Sequence, residues 1–193
     1  GEHHAEPLGP FEELDDQRRA ADDIHQAAAV FGVVREAGDR HVDPDAREFL
    51  APDDMPAAIR AFCRRTGQAE PQTEGAVIRC ALESLALRYR QVLSVLEGLT
   101  GGHIATIHVV GGGALNTQLC QWTADACQRQ VVAGPSEATA TGNLMAQAIA
   151  AGAVGSVTEA REVVRNSLPV ATYEPHDGAA WADAAGRFDA ITS

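Results

Sequence analysis

The residues of this chain best suited to chemistry are three consecutive glycines, Gly111, Gly112 and Gly113, with Asn116 and Gln118 just beyond them and Glu137, Thr141 and Asn143 further along. The glycines follow the apolar run 104–110 and precede Leu115, Leu119 and Trp122 at helical spacing, a pattern that predicts a strand turning into a helix through a corner without side chains. Such a corner permits a tight backbone path and close approach of a ligand, and the first turn of the following helix carries unpaired N–H groups that favour an anion. A nucleotide phosphate fits that chemistry; a tight structural crossing uses the same glycines.

The neighbouring side chains carry two readings each. Asn116 can donate and accept at a base or ribose edge, or cap the adjoining helix. Gln118 adds a polar contact if it turns inward and is otherwise a solvent-facing amide. Glu137 suits a helix start, where free amides and the helix dipole favour negative charge, and it equally suits the nucleoside side of a pocket. Thr139 and Thr141 satisfy local backbone groups or touch ribose; Gly142 allows close packing or ligand approach; Asn143 is a pocket or capping residue.

Around these residues the elements must alternate. Asp54 and Pro56 start a helix that runs to about Thr66. Residues 71–96 give the clearest helical period, with Ile78, Leu82, Leu85, Tyr89, Leu93 and Leu96 expected on the buried face and Arg79, Arg88 and Arg90 on the surface. Gly98, Gly101 and Gly102 interrupt it before the strand at 104–110. After the glycine corner a second helix turns Leu115, Leu119, Trp122, Thr123 and Ala126 inward. Val131 and Val132 form a brief strand before Gly134-Pro135, and a small-residue helix covers 144–151, its alanines suited to close packing. Two last helices span about 157–166 and 178–191. Residues 1–41 read as a divergent or loosely packed leader, with a short helical region centred on 24–33, and 42–193 as the domain proper. The order argues for a mixed α/β fold. Gly111-Gly112-Gly113 does not satisfy G-x-G-x-x-G, which argues against a conventional dinucleotide fold.

Composition narrows the chemistry further. Of 193 residues, 45% are hydrophobic, enough for one substantial core, and the formal charge of -12 argues against a broad nucleic-acid surface. All 15 basic residues are arginine, so no Walker-type lysine and no Schiff-base lysine is available within the chain. Arg129 reads as a solvated loop charge. Cys63, Cys80, Cys120 and Cys127 lack close pairing in sequence and read as reduced, partly buried thiols. His3, His4, His25, His41 and His176 read as solvent-facing, His103 and His108 as packed or exposed, and none has metal-ligand spacing. No stretch is long and apolar enough to span a membrane, and the acidic start lacks the order of a secretory signal, so the expected location is cytoplasmic.

At GGGALNTQLCQWTADA and GPSEATATGN the chain resembles the C-terminal nucleotide-binding domain of the FGGY carbohydrate kinases, within which it most closely resembles those acting on a six-carbon deoxy sugar. The likeness runs back through VDPDAREFLAPDDMPAAIRAFCRRTGQAEP and RCALESLALRYR and forward to NSLPVATYEP, covering roughly residues 42–175. It implies part of an actin-like, ribonuclease-H-like ATPase domain, with ATP between two large domains and a sugar held mainly by the N-terminal one. It implies that Gly111, Gly112 and Gly113 approach the nucleotide phosphates or the adjoining ribose, and that Asn116 and the segment beginning at Glu137 form the nucleoside side, with Gln118, Thr141 and Asn143 nearby. ATP and Mg²⁺ are the implied cofactors of a complete enzyme.

No catalytic residue is assigned within the chain. The family's catalytic aspartate stands upstream in a D-T-x-S-A-like context absent here, and Asp53, Asp54 and Asp125 read as loop, helix-start and helix residues. The expectation is a nucleotide-binding half that meets its sugar through an upstream half and is inactive alone. The other readings are a noncatalytic interaction domain on the kinase scaffold, or a different sugar kinase of the same family. Gln128-Arg129-Gln130 departs from the family pattern, where a glycine commonly follows the cysteine, so an altered turn is expected there.

Overall fold

A computed structural model describes residues 38–176 and 178–192. The readings made on residues 1–37, including the helical region at 24–33 and His3, His4 and His25, lie outside the described residues.

Helix α1, Met55–Arg65, starts where expected: Asp54 Oδ1 accepts the Ala57 N–H at 2.9 Å, and Pro56 occupies the first turn, where its missing N–H costs nothing. Helix α2, Glu74–Thr100, is capped by Thr73 Oγ1 on the Ala76 N–H and ends on Gly101 in the left-handed region. Strand β1, Thr106–Val109, follows; a 3₁₀ turn, Gly111–Leu115, leads into helix α3, Thr117–Cys127. Strand β2, Gln130–Ala133, runs parallel to β1, with Thr106 opposite Gln130 and Val109 opposite Ala133. Helices α4, Ala138–Ala150, and α5, Val157–Ser167, come next, then strand β3, Ala171–Tyr173, antiparallel to β2, and helix α6, Gly178–Thr192. The sheet order is β1-β2-β3, which makes the described fold mixed α/β.

Three apolar clusters hold these elements. Cys120 and Ala124 of α3 pack on Val131 and Ala133 of β2. On its other side α3 joins α2 and α6 through Ala126, Ala86, Leu87, Trp181, Ala184 and Phe188. Helix α1 and the segment before it close the far end of α2 through Val42, Ile59, Phe62, Cys63, Val77 and Cys80. Burial of this kind stabilises by roughly 25 cal/mol per Å² of apolar surface removed from water.

Helix α2 buries only part of the expected face: Leu93 is buried, and Leu82 and Leu85 are half-buried. Val77, Cys80, Glu83, Ser84, Ala86, Leu87 and Leu93 are buried, whereas Ile78, Tyr89 and Leu96 are exposed. Apolar residues occur on nearly every side of this helix, so its polar groups decide the face. Glu83 accepts the Gly38 N–H at 2.9 Å and the Arg79 Nε–H at 2.7 Å, and Ser84 Oγ accepts the Val42 N–H at 2.9 Å. Burial pushes the Glu83 carboxyl up, opposed by Arg79.

Three more expectations fail in the same region. His41 is buried rather than solvent-facing: Gln68 bonds both its N–H and its carbonyl, its ring meets Phe188 edge-on, and burial lowers its pKa to about 4. Arg79 serves Glu83. Arg90 reaches the carbonyls of Ala126 and Trp181, so it tethers α2 to α3 and α6 instead of standing free.

Helix α4 begins six residues before the expected start at 144, because Ala138 and Ala140 carry helix through the Thr, Gly and Asn that read as loop. None of its residues is buried, contrary to the close packing expected of its alanines. Strand β3 was not foreseen; its three residues are mostly exposed and carry no apolar alternation. All four cysteines are free and buried. Among the described residues no helix is long and apolar enough to cross a membrane.

Candidate nucleotide site

The site is built where the parallel pair β1–β2 ends. Beyond the strands the backbone pairing continues: Gly134 N–H donates to the Val109 carbonyl at 2.9 Å and Gly111 N–H to the Pro135 carbonyl at 3.1 Å. These bonds set the glycine turn beside the loop that feeds α4. A Cβ on Gly111 would lie 3.9 Å from the Ser136 carbonyl oxygen. In open α/β sheets ligands bind outside the carboxyl ends of the strands, and both loops stand there.

The three glycines differ. Gly111 has φ +75°, a conformation L side chains rarely adopt. A Cβ on Gly113 would rest 3.7 Å from Val109 in ordinary contact. Gly112 has no positive φ, and a Cβ there would meet nothing within 4 Å. Neither backbone conformation nor packing requires glycine at 112, and the space above it is open. Gly142 is in the same position on α4. From beneath, the buried Cys120 thiol donates to the Gly113 and Ala114 carbonyls at 3.7 and 4.0 Å; burial pushes its pKa up, which keeps that proton in place.

Asn116 caps α3: its Oδ1 accepts the Leu119 N–H at 3.0 Å, and its own N–H donates to the Gly113 carbonyl at 3.2 Å. The capping reading is therefore realised, and it leaves the side-chain NH₂ group as a donor beside the turn. Gln118, one position into α3 from Thr117, is half-buried.

The N-termini of α3 and α4 are unlike. Helices α1, α2, α3 and α5 have side-chain caps from Asp54, Thr73, Asn116 and Ser156. Glu137 stands at the N-cap of α4 with no capping bond from its side chain, and the first bond of that helix is Thr141 N–H to the Glu137 carbonyl. The amides of the first turn of α4 thus lack a side-chain partner at the edge where the glycine turn lies. Glu137 thus stands at a helix start, as its residue type suits, but its side chain does not cap it; the alanines at 138 and 140 mark that start.

The structure brings Gly111, Gly112, Gly113 and Asn116 together in one turn and sets the segment before Glu137 against it. Thr141 lies one helical turn beyond Glu137 on nearly the same side of α4. Asn143 is about 200° around the helix from Thr141, so the two do not share a face. Asp125 is buried in α3 and accepts from the His176 N–H at 2.8 Å and from Gln121 at 3.0 Å, fastening the stretch between β3 and α6.

At the opposite ends of β1 and β2 the expectation for Arg129 is corrected. Its guanidinium donates to the Ile104 and Gln128 carbonyls at 2.8 and 2.9 Å and to Glu97 at 3.1 Å. Glu97 also accepts the Ile104 N–H, and that bond, followed by Arg129, holds its carboxyl below the usual range. Arg129 is a tether between loops, and the left-handed Gln128 before it, φ 51°, supplies the turn that a glycine commonly makes. No group of three or more His, Cys, Asp or Glu among the described residues is arranged to hold a metal ion.

Comparison with known proteins agrees with this architecture. Residues 6–151 match the FGGY family of carbohydrate kinases, C-terminal domain, a span that begins within the stretch read as a leader. The chain is 51% identical over 140 residues to a rhamnulokinase of Bacteroides thetaiotaomicron, covering 72% of this chain and 29% of that protein. It is 40% identical over 161 residues to a rhamnulokinase of Bacillus subtilis, covering 83% of this chain and 33% of the relative. A rhamnulokinase of Klebsiella pneumoniae is 41% identical over 135 residues, 70% of this chain and 28% of its own length. The chain thus spans about a third of the length of these relatives, and over that third it belongs to the FGGY family of carbohydrate kinases, in the C-terminal domain.

Proposed function

We propose that this chain is the nucleotide-binding half of an ATP-dependent sugar kinase, a partial actin-like, ribonuclease-H-like domain. In the complete enzyme the proposed reaction moves the γ-phosphoryl group of ATP to the primary hydroxyl of rhamnulose, giving rhamnulose 1-phosphate. The sugar is suggested by the relatives' name; the nucleotide is suggested by the site itself. One observation carries the reading: a glycine turn with unfilled space above Gly112 and a helix N-terminus without a side-chain cap meet at the carboxyl edge of two parallel strands.

Each group has a chemical task in this reading. Gly112 and Gly113 let the nucleotide lie against the backbone. The first-turn amides of α4 take phosphate oxygens, and the dipole of that helix favours their charge. Asn116 donates from its NH₂ group to the nucleoside while its oxygen holds α3. Thr141 offers a hydroxyl one turn along α4; Gln118, Glu137 and Asn143 border the pocket. Phosphoryl transfer is mainly positioning and charge compensation, and a divalent cation bound with the nucleotide supplies the latter. The base that accepts the sugar's proton and the residues that hold the sugar belong to the two thirds of the relatives that this chain does not span.

Calorimetric titration of the folded chain with Mg-ATP and Mg-ADP tests the reading. Weak saturable binding with negligible sugar phosphorylation is expected. Absence of binding of either nucleotide at millimolar concentration would defeat the claim that this chain alone forms the site.

A further inference from the structure

Cys120 stands one turn into α3, where helical geometry leans a side chain back toward the N-terminus of its own helix. Its thiol therefore reaches the glycine turn from beneath and donates to the Gly113 carbonyl at 3.7 Å, with the Ala114 carbonyl sharing the proton at 4.0 Å. The residue is fully buried, seated with Ala124 against Val131 and Ala133 of β2, and Ala114 packs on the same cluster. We propose that Cys120 is a positioning residue for the nucleotide: by holding the carbonyls of Gly113 and Ala114, its S–H fixes the turn against which the nucleotide lies. This inference rests on the nucleotide reading above.

The turn needs such a fastening. Three of its five residues are glycine, a Cβ on Gly112 would meet nothing within 4 Å, and the bonds of a 3₁₀ turn have poorer geometry than those of an α-helix. Backbone bonds hold it at Gly111, whose N–H donates to the Pro135 carbonyl, and at Gly113, whose carbonyl accepts the Asn116 N–H. Among the described residues, Cys120 is the one whose side chain bonds the backbone of the turn. Because that side chain is locked between α3 and β2, it ties the turn to the parallel strand pair. A turn held in its bound shape beforehand loses less conformational entropy when a ligand arrives than one that must then be ordered. Burial pushes the Cys120 thiol up, which keeps its proton available as the donor.

Packing and bonding order the substitutions of Cys120 differently. Serine keeps a donor at the same place but sets a hydroxyl among Ala124, Val131 and Ala133, whereas alanine removes the donor and stays apolar. If packing were the whole contribution, Cys120→Ala would match or exceed Cys120→Ser in both stability and nucleotide affinity. Positioning predicts that the two properties separate, with serine the better residue for affinity and no better for stability.

Thermal unfolding and calorimetric titration with Mg-ADP, on the unaltered chain and on C120A, C120V and C120S, test this. Affinity should fall about fivefold in C120A and C120V, the scale of one net hydrogen bond, and stay within about twofold of the unaltered chain in C120S. C120S should nonetheless melt no higher than C120A. In the ligand-free protein, amide exchange across 111–115 should quicken in C120A and not in C120S. C120V, which fills the space without a donor, carries the comparison if C120A does not fold. Undiminished affinity in the donorless variants, or a loss in C120S as large as theirs, would overturn the proposal and leave the nucleotide site standing. Absence of Mg-ADP binding by the unaltered chain would overturn the nucleotide reading, and this inference with it.

Discussion

The two ends of the parallel pair β1–β2 are finished by different means. At the amino ends, side chains close the edge: Arg129 and Glu97 bind each other and the backbone of the loop before β1. At the carboxyl ends only backbone crosses between the loops, through Gly134 to Val109 and Gly111 to Pro135, and the space above Gly112 is empty. The first edge is complete within the chain. The second is complete as structure but leaves donors and room, which is the condition for receiving a phosphate-bearing ligand.

Substitutions can break or sharpen that contrast, taken in order of their expected effect on stability. Gly134→Val should be the most damaging. Gly134 has φ +119°, and its Cβ would lie 2.7 Å from the Pro169 carbonyl oxygen, so a loss of about 3 kcal/mol or more is expected in urea unfolding. A wild-type denaturation midpoint would mean that the carboxyl edge yields easily.

Arg129→Ala should cost about 2 kcal/mol, because it removes charge-assisted bonds that hold two loops at the other edge. Glu97 adds a pH dependence. Its carboxyl is held below the ordinary value of 4.5, so its contribution is present above that value and fades as pH falls through the lower folded value. Unfolding curves from pH 7 to pH 3 should show wild type losing more stability than Arg129→Ala over the acid end of that range; parallel losses would remove Glu97 from the account.

Asn116→Ala should cost about 1 kcal/mol through loss of the α3 cap. If nucleotide affinity is unchanged in the folded variant, the NH₂ group makes no useful contact. Gly112→Ala should change stability by less than about 0.5 kcal/mol, since its Cβ meets nothing, yet weaken nucleotide binding several-fold. Unaltered affinity there would show that the open space above the turn is not the place where the nucleotide lies.

Much of this was readable beforehand, for reasons that differ by element. Asp54 and Pro56 fix a helix start by local bonding, and the glycines at 101 and 102 before β1 and at 111–113 after it mark changes of direction, whereas Gly98, expected to interrupt α2, lies inside it. The glycines and Asn116 of the proposed site sit at such a change. What could not be read depends on partners distant in sequence. The buried side of α2 is selected by Gly38 and Val42, forty and more residues away, and no period within the helix encodes them. Arg129 looks like any loop charge until Glu97 and Ile104 stand beside it. The start of α4 was masked by Thr, Gly and Asn, residues typical of loops, although alanines flank them.

The buried polar face of α2 has a consequence for how the chain reaches its native state. Arg79 and the Cys80 carbonyl partner Glu83 and Ser84 within the helix, whereas the Gly38 and Val42 amides reach them only when the segment 38–42 docks, and a Cβ on Gly38 would fall 2.5 Å from the Glu83 carboxylate. Collapse of α2 before that segment arrives would bury a carboxylate without its amide, an unfavourable state that reopens readily. Native stability therefore depends on long-range docking of a few residues as well as on apolar burial, so substitutions at Gly38 should lower the urea midpoint although they remove no apolar surface.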